Sequence, residues 1–261
     1  MNDTQKGVLS KVPEVTLGFW IIKILATTLG ETGGDAVTMS LDLGYVIGTF
    51  IFLAIFIASV YAQIRAKTFN APLYWLTIVA TTSVGTTMAD FADRSLGIGY
   101  SGGSAILLAG LLISLAVWQR SEGSVSVTTV INPRTEMFYW ATILFSQTLG
   151  TALGDWMATT EGLVFGGGAL VFGAALAVVA GAYCVTNISH VVLFWAAFIL
   201  TRPLGATLGD LLDKPHAEGG FAFSRFHASL LLMVLIAALV ALLPQRAGRH
   251  PGDPKTEAGS A

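Results

Sequence analysis

The sequence predicts an all-α integral membrane protein with eight transmembrane helices, built from four parallel two-helix repeats with pseudo-twofold or pseudo-fourfold symmetry about the membrane normal. Composition is the first reason: 54% of the 261 residues are hydrophobic and 11% charged, with a mean hydropathy of +0.70, far from the balance of a water-soluble domain. The second is that apolar runs of the roughly 20 residues needed to cross a bilayer recur along the whole chain. No stretch between them is suited to burying a separate soluble core. The third is a motif that returns four times.

Aligned on tryptophan, the chain reads Trp20 to Asp35, Trp75 to Asp90, Trp140 to Asp155 and Trp195 to Asp210, each pair 15 positions apart. A glycine stands ten residues after each tryptophan, at Gly30, Gly85, Gly150 and Gly205, and a small residue precedes each aspartate, at Gly34, Ala89, Gly154 and Gly209. The tryptophans are spaced 55, 65 and 55 residues apart, so the two halves superpose with one offset of 120. Such periodicity marks internal duplication.

Each repeat reads as a polar-flecked first helix carrying the motif, a short loop, and a more uniformly apolar second helix. The repeats cover about 11–67, 68–122, 132–186 and 187–243, and the second spans about 45–61, 101–118, 164–183 and 226–243. The first apolar run holds Lys23, Glu31 and Asp35 and lacks a small-residue cleavage site, so it reads as a retained span. Lys6, Lys11, Arg65, Lys67, Arg120, Arg134, Arg246, Arg249 and Lys255 all fall on the side reached after an even number of crossings, which the positive-inside rule makes cytoplasmic. The opposite loops, with Asp42, Asp93, Arg94, Glu161, Asp213, Lys214 and Glu218, are mixed to acidic. Residues 1–10 are then a cytoplasmic amino terminus and the Pro/Gly-rich residues 244–261 a disordered cytoplasmic tail. Repeats with an even number of spans all share one orientation, which excludes inverted-repeat transporter architectures.

Counting from each tryptophan, position +8 is Thr28, Ser83, Thr148 and Pro203; +11 is Glu31, Thr86, Thr151 and Ala206; +12 is Thr32, Thr87, Ala152 and Thr207; +15 is the aspartate. Offsets of 3, 4 and 7 share a helix face. Position +4 is apolar: Ile24, Val79, Leu144 and Ile199. Four such faces predict a hydrophilic funnel of hydroxyls and carboxylates, open outward, above an apolar constriction. The aspartates lie about 22 Å along the helix from the tryptophans at 1.5 Å per residue, so the alternative is that each simply ends its helix in headgroups or water. Gly30/Gly34, Gly150/Gly154 and Gly205/Gly209 are GxxxG pairs and Gly85/Ala89 a near match, which points to close helix packing. Trp20, Trp75, Trp140 and Trp195 are expected as interfacial anchors. Arg202, whose counterparts are Thr27, Thr82 and Gln147, is an intramembrane cation that needs a partner, with Glu31 or an aspartate the natural one. Lys23 and Arg225 are expected to snorkel to the interfaces.

These W-to-D motifs, over residues 11 to 243, resemble those of a family of bacterial inner-membrane proteins built from four tandem two-span repeats, each with a tryptophan, known as a repeat of unknown function. The resemblance implies eight spans and a bacterial plasma membrane. It implies no substrate.

For function, no nucleophile elbow, HExxH, GxGxxG or CxxC is present, so no enzyme is expected. The net charge of −2 points to no nucleic-acid partner, and the single Cys184 permits no thiolate metal cage. The expectation is a transporter or channel for a hard cation. A divalent metal such as Mn2+ leads, held by Asp35, Asp90, Asp155 and Asp210 with Glu31, Thr28, Thr86 and Thr151 contributing. Five acids against Arg202 leave a formal site charge of −4. The alternatives are a proton-coupled carrier of a small organic anion, using Arg202 and the aspartates, and a structural membrane protein with no flux. No cofactor is expected; the partners are the lipid bilayer and a small cation, either a divalent metal or a proton.

Overall fold

The computed structural model describes residues 9–159 and 163–249. Lys6, Glu161, Lys255, the side chain of Arg249, residues 1–8 and residues 250–261 lie outside the described residues, so the expected disorder of the tail beyond 249 and the loop charges placed there are not addressed by it. Among the described residues the chain is all-helical apart from one short strand pair. Its eight α-helices are α1 (Leu17–Asp35), α2 (Gly44–Arg65), α3 (Ala71–Asp90), α4 (Tyr100–Glu122), α5 (Pro133–Thr159), α6 (Val164–Val185), α7 (His190–Asp213) and α8 (Arg225–Leu242).

Local chemistry sets where the first helices begin. Thr16 caps α1 through its side chain and Asn70 caps α3, accepting from the Leu73 amide, with Pro72 in the first turn. Asn132 accepts from the amides of Arg134 and Thr135 at the start of α5. The aspartates do not end these helices. α5 and α7 run on past Asp155 and Asp210, and Asp35 and Asp90 lead without a break into π-helical turns at Ala36–Ser40 and Phe91–Ser95.

The first helices close into a ring: α1 packs on α3, α3 on α5, α5 on α7 and α7 on α1. Each second helix lies outside this ring, and its main partner is the first helix of the next repeat rather than of its own: α2 on α3, α4 on α5, α6 on α7 and α8 on α1. The four repeats are therefore related cyclically, and each completes its neighbour. Among the described residues five helices, α2, α4, α6, α7 and α8, are long and apolar enough to cross a membrane. The outer layer exposes side chains such as Phe50, Ile113, Leu170 and Leu230. A water-soluble surface does not present this much contiguous apolar area, which suggests a membrane protein.

Glycine explains how closely the inner helices approach. A Cβ on Gly205 would lie 2.9 Å from the backbone carbon of Thr27, on Gly30 3.0 Å from that of Thr82, on Gly85 2.8 Å from that of Gln147, and on Gly150 2.5 Å from Cβ of Arg202. In every case the +7 side chain of one repeat sits over the +10 glycine of the repeat before it. The next turn repeats the pattern, with Glu31 over Gly209, Thr86 over Gly34 and Ala206 over Gly154. This approach also lets Thr27 and Thr82 donate across the interface to the carbonyls of Thr201 and Ala26.

At the tryptophan end, the residue before each tryptophan packs on the tryptophan of the following repeat. The ring centroids of Phe19–Trp75, Tyr74–Trp140, Tyr139–Trp195 and Phe194–Trp20 are 5.5, 5.7, 6.3 and 5.7 Å apart, within the range of favourable aromatic pairs. Trp75, Trp140 and Trp195 are buried, and Trp20 is half-buried. This corrects the expectation of interfacial anchors: the tryptophans form a closed aromatic layer across the ring, because an aromatic neighbour in sequence makes each one half of a cyclic stack. The Tyr74 and Tyr139 hydroxyls bond each other at 2.6 Å within it. Tyr74→Phe is expected to cost about 1–3 kcal/mol by leaving the Tyr139 hydroxyl buried without that partner, read as a lower unfolding midpoint in micelles.

A strand pair missed in the sequence reading covers this end. β1 (Leu9–Pro13) pairs antiparallel with β2 (Ala247–Arg249). Residues 244–249, expected as the start of a disordered tail, are thus held in place. Lys11, read as a loop charge, bonds Glu136 at 2.6 Å and the carbonyls of Gln63 and Ile64. Gln245 accepts from the Trp75 indole, and the Val125 carbonyl from that of Trp195.

Candidate functional site

Above the aromatic layer the ring is packed solid. Position +3 supplies Lys23, Ile78, Ile143 and Phe198, and position +7 supplies Thr27, Thr82, Gln147 and Arg202, all fully buried. The expected constriction at Ile24, Val79, Leu144 and Ile199 is displaced by one residue: those side chains are half-buried, and +3 fills the ring instead. Lys23 does not reach an interface, because its ammonium lies 4.2 Å from the centroid of the Phe198 ring.

Arg202 leaves α7 and reaches all three other inner helices. Its Nη2 meets Glu31 Oε2 of α1 at 3.0 Å and Thr86 Oγ1 of α3 at 2.6 Å, and bonds Thr151 Oγ1 of α5. Thr86 also donates to Glu31 at 3.3 Å. The expected partnership of Arg202 with Glu31 is therefore present, and the symmetry-breaking acid and base of the motif meet each other. Pro203, the next residue, lies inside α7 and has no amide hydrogen to donate there.

Position +12 turns the other way. Thr32 bonds Ser229 of α8, and Thr87 and Thr207 lie against Gly48 of α2 and Gly168 of α6. Thr28 donates to the carbonyl of Ile24 in its own helix. These hydroxyls serve helix packing and back-bonding, so the polar face is narrower than the sequence pattern suggests. Helices of a closed ring spend part of each face on the neighbour and part on the outer layer.

The four aspartates are all buried, which sets aside free helix ends in water. They also do not form one ligand set. Lys214 Nζ lies 2.5 Å from Asp35 and 3.0 Å from Asp210. Arg94 lies 2.9 Å from Asp90 and 3.5 Å from Asp155. Each cation bridges its own repeat's aspartate, four residues earlier, to the aspartate of the next repeat. Arg225, expected to snorkel outward, instead pairs with Asp213 at 3.0 Å and approaches Asp35 at 3.8 Å. Burial alone would lower the pKa of Lys214, but Asp210, Asp35 and Asp213 outweigh it and hold the ammonium above the ordinary lysine value. Asp90 and Asp155 do the same for Arg94 against its own burial.

Six carboxylates (Glu31, Asp35, Asp90, Asp155, Asp210 and Asp213) thus face four cations (Arg94, Arg202, Lys214 and Arg225), a formal charge of −2 in place of −4. The outward-open funnel is corrected to a closed, largely compensated acid layer, because carboxylates drawn together by the glycine contacts need counterions. Arg94 and Lys214 were counted in the sequence only as loop charges. The signal that identifies them is the duplication itself: both stand four residues after an aspartate and are related by the offset of 120, whereas Met39 and Thr159 occupy the position in the other repeats.

Among the described residues, one grouping suited to a metal remains. Glu31, Asp35 and Asp210 each offer a carboxylate oxygen, and the three atoms lie within 4.8 Å of one another, all buried. Hard oxygen donors of this kind suit Mg2+, Mn2+ or Ca2+. Asp90 and Asp155, expected in the same metal set, lie outside this grouping and share Arg94.

No curated protein and no solved structure matches the chain. Residues 18–69, 73–124, 138–189 and 193–245 each match one family description. With its four tryptophan-to-aspartate segments inside those four matches, the chain belongs to the Repeat of Unknown Function (DUF347) family.

Proposed function

We propose that the protein is an eight-span membrane transport protein for a hard cation, a divalent metal before a monovalent one. In this reading it sits in a bacterial inner membrane with both termini cytoplasmic and its carboxylate end facing out. The convergence of Glu31, Asp35 and Asp210 supports this reading, together with the ammonium of Lys214 lying on two of those three acids. An ammonium on a flexible stem is a tethered cation, and it occupies the acids that a free ion needs. Entry of a metal then requires Lys214 to give up Asp35 and Asp210, and Asp213 lies close by in sequence as a place for it to go. Manganese is favoured over magnesium because magnesium surrenders its water reluctantly.

The test is metal binding and flux with purified protein, in micelles and in liposomes. Lys214→Met is expected to raise Mn2+ affinity about tenfold by removing the competitor, a gain of about 1.4 kcal/mol. Asp35→Asn with Asp210→Asn abolishes binding, while Asp90→Asn changes it little. Absence of binding by both the wild type and Lys214→Met, or binding that survives the double Asn variant, removes the proposal.

A further inference from the structure

The joints between the outer and inner layers are not all alike. α2, α4 and α6 each run through a connection, at 66–70, 123–132 and 186–189, into the first helix on which they pack. α8 packs on α1 with no chain leading from one to the other, and the β1–β2 pair spans that joint instead, with the Glu14 amide donating to the Arg246 carbonyl at 2.8 Å. A cavity of about 340 Å³ opens at this seam. Glu14 and Thr16 line it from the chain before α1, Gln245 and Arg246 from the chain after α8, and Phe19 and Leu243 add apolar surface.

Glu14 and Arg246 are joined through their backbones, yet among the described residues neither side chain makes an ion pair or a hydrogen bond, and both are exposed. Next to the lining residues in sequence, Leu17 at the start of α1 and Leu242 at the end of α8 are 77% and 81% exposed. A free carboxylate and a free guanidinium in one cavity, flanked by leucines suited to lipid, match an amphiphile that carries both charges. We propose that the seam binds one phospholipid with a phosphoethanolamine head, in the leaflet at the tryptophan end. The planar guanidinium of Arg246 pairs with phosphate oxygens, and the primary ammonium donates to the Glu14 carboxylate. A choline head has no N–H to donate, and a glycerol head has no positive charge. The cavity is at the small end of ligand sites, which run from about 300 to 1,000 Å³, so it takes the head and leaves the acyl chains outside against α1 and α8. The lipid then fastens the one joint that the chain itself does not connect. This inference rests on the membrane placement proposed above and not on metal binding.

The experiment is native mass spectrometry of the full-length protein from micelles doped with phosphatidylethanolamine, phosphatidylcholine or phosphatidylglycerol of identical acyl chains, alongside thermal unfolding in the same micelles. One phosphatidylethanolamine retained per chain is expected, with an unfolding midpoint above that in either other lipid. Arg246→Gln and Glu14→Gln should each weaken retention at least about tenfold. Arg120→Gln, which removes an exposed cation at the end of α4, should leave it unchanged. Equal retention of phosphatidylethanolamine and either other lipid by the wild type overturns the site, as does a preference that survives in both Arg246→Gln and Glu14→Gln. If those variants do not fold, the wild-type preference and midpoints decide. Mn2+ binding without the lipid preference removes this inference and leaves the transport reading standing, and the preference without Mn2+ binding does the reverse.

Discussion

Glu31→Gln is expected to destabilise the protein by about 3–5 kcal/mol, the cost of removing one partner from a buried ion pair. Glutamine keeps the shape of the side chain over Gly209, so packing changes little and charge changes most. Arg202, fully buried and held to Glu31 at 3.0 Å, loses the acid that compensates it. The companion Arg202→Met strips the donor from Glu31, Thr86 and Thr151 together and is expected to cost a similar amount. The double variant restores neutrality between the two positions and should cost far less than the sum, because groups in one network are strongly coupled. Unfolding in mixed micelles, followed by circular dichroism, measures the cycle. Additive single effects, or a loss below about 1 kcal/mol for Glu31→Gln, the range of an exposed pair, would show that the contact is incidental.

Gly85→Ala and Gly205→Ala together are expected to prevent assembly of the ring. Each new methyl falls against the backbone of the neighbouring helix, at 2.8 Å from Gln147 and 2.9 Å from Thr27, and backbone cannot rotate away as a flexible side chain does. Overpacking of this kind costs about 1–3 kcal/mol per site. The two positions are equivalent under the offset of 120 and lie on different joints of one closed circle, so each added separation has to be absorbed by the same remaining contacts. Gly181→Ala is the control: nothing lies within 4 Å of its added carbon, and the change should leave stability equal or slightly higher. Monodispersity on size exclusion and the unfolding midpoint report the outcome. A double variant that melts with the wild type would show that the helices are not held by these contacts.

How far the fold was legible depends on the kind of signal. Four tandem repeats, an inner set of polar-flecked helices and an outer set of apolar ones follow from periodicity and hydropathy, which are properties of single segments. The role of the glycines in close packing was legible for the same reason, since GxxxG spacing is local. The aromatic layer was half legible. An aromatic precedes every tryptophan, at Phe19, Tyr74, Tyr139 and Phe194, yet its meaning depends on the next repeat lying alongside.

The candidate site shows the same division. Sequence alone singled out the four aspartates, Glu31 and Arg202, because charge inside an apolar run is costly and so stands out. It could not separate the aspartates into two pairs, nor assign Lys214 and Arg94 to them, because a cation just beyond a helix looks like any loop charge until the chain turns back over the ring. Thr28 and the +12 hydroxyls were overvalued because helical periodicity gives a face without saying which neighbour occupies it.

What the sequence by itself determined is the repeat, its helical elements, the apolar outer layer and, among the buried charges, the four aspartates, Glu31 and Arg202. Each of these is encoded within about twenty residues and is governed by solvent partitioning and helix geometry. Tertiary structure alone decided the cyclic order in which every repeat completes its neighbour, the closure of the ring by α7 on α1, the strand pair that joins Leu9–Pro13 to Ala247–Arg249, and the counterions of the aspartates. These are contacts between segments up to the length of the chain apart. Their energy depends on distance in space, and a linear pattern carries no such distances.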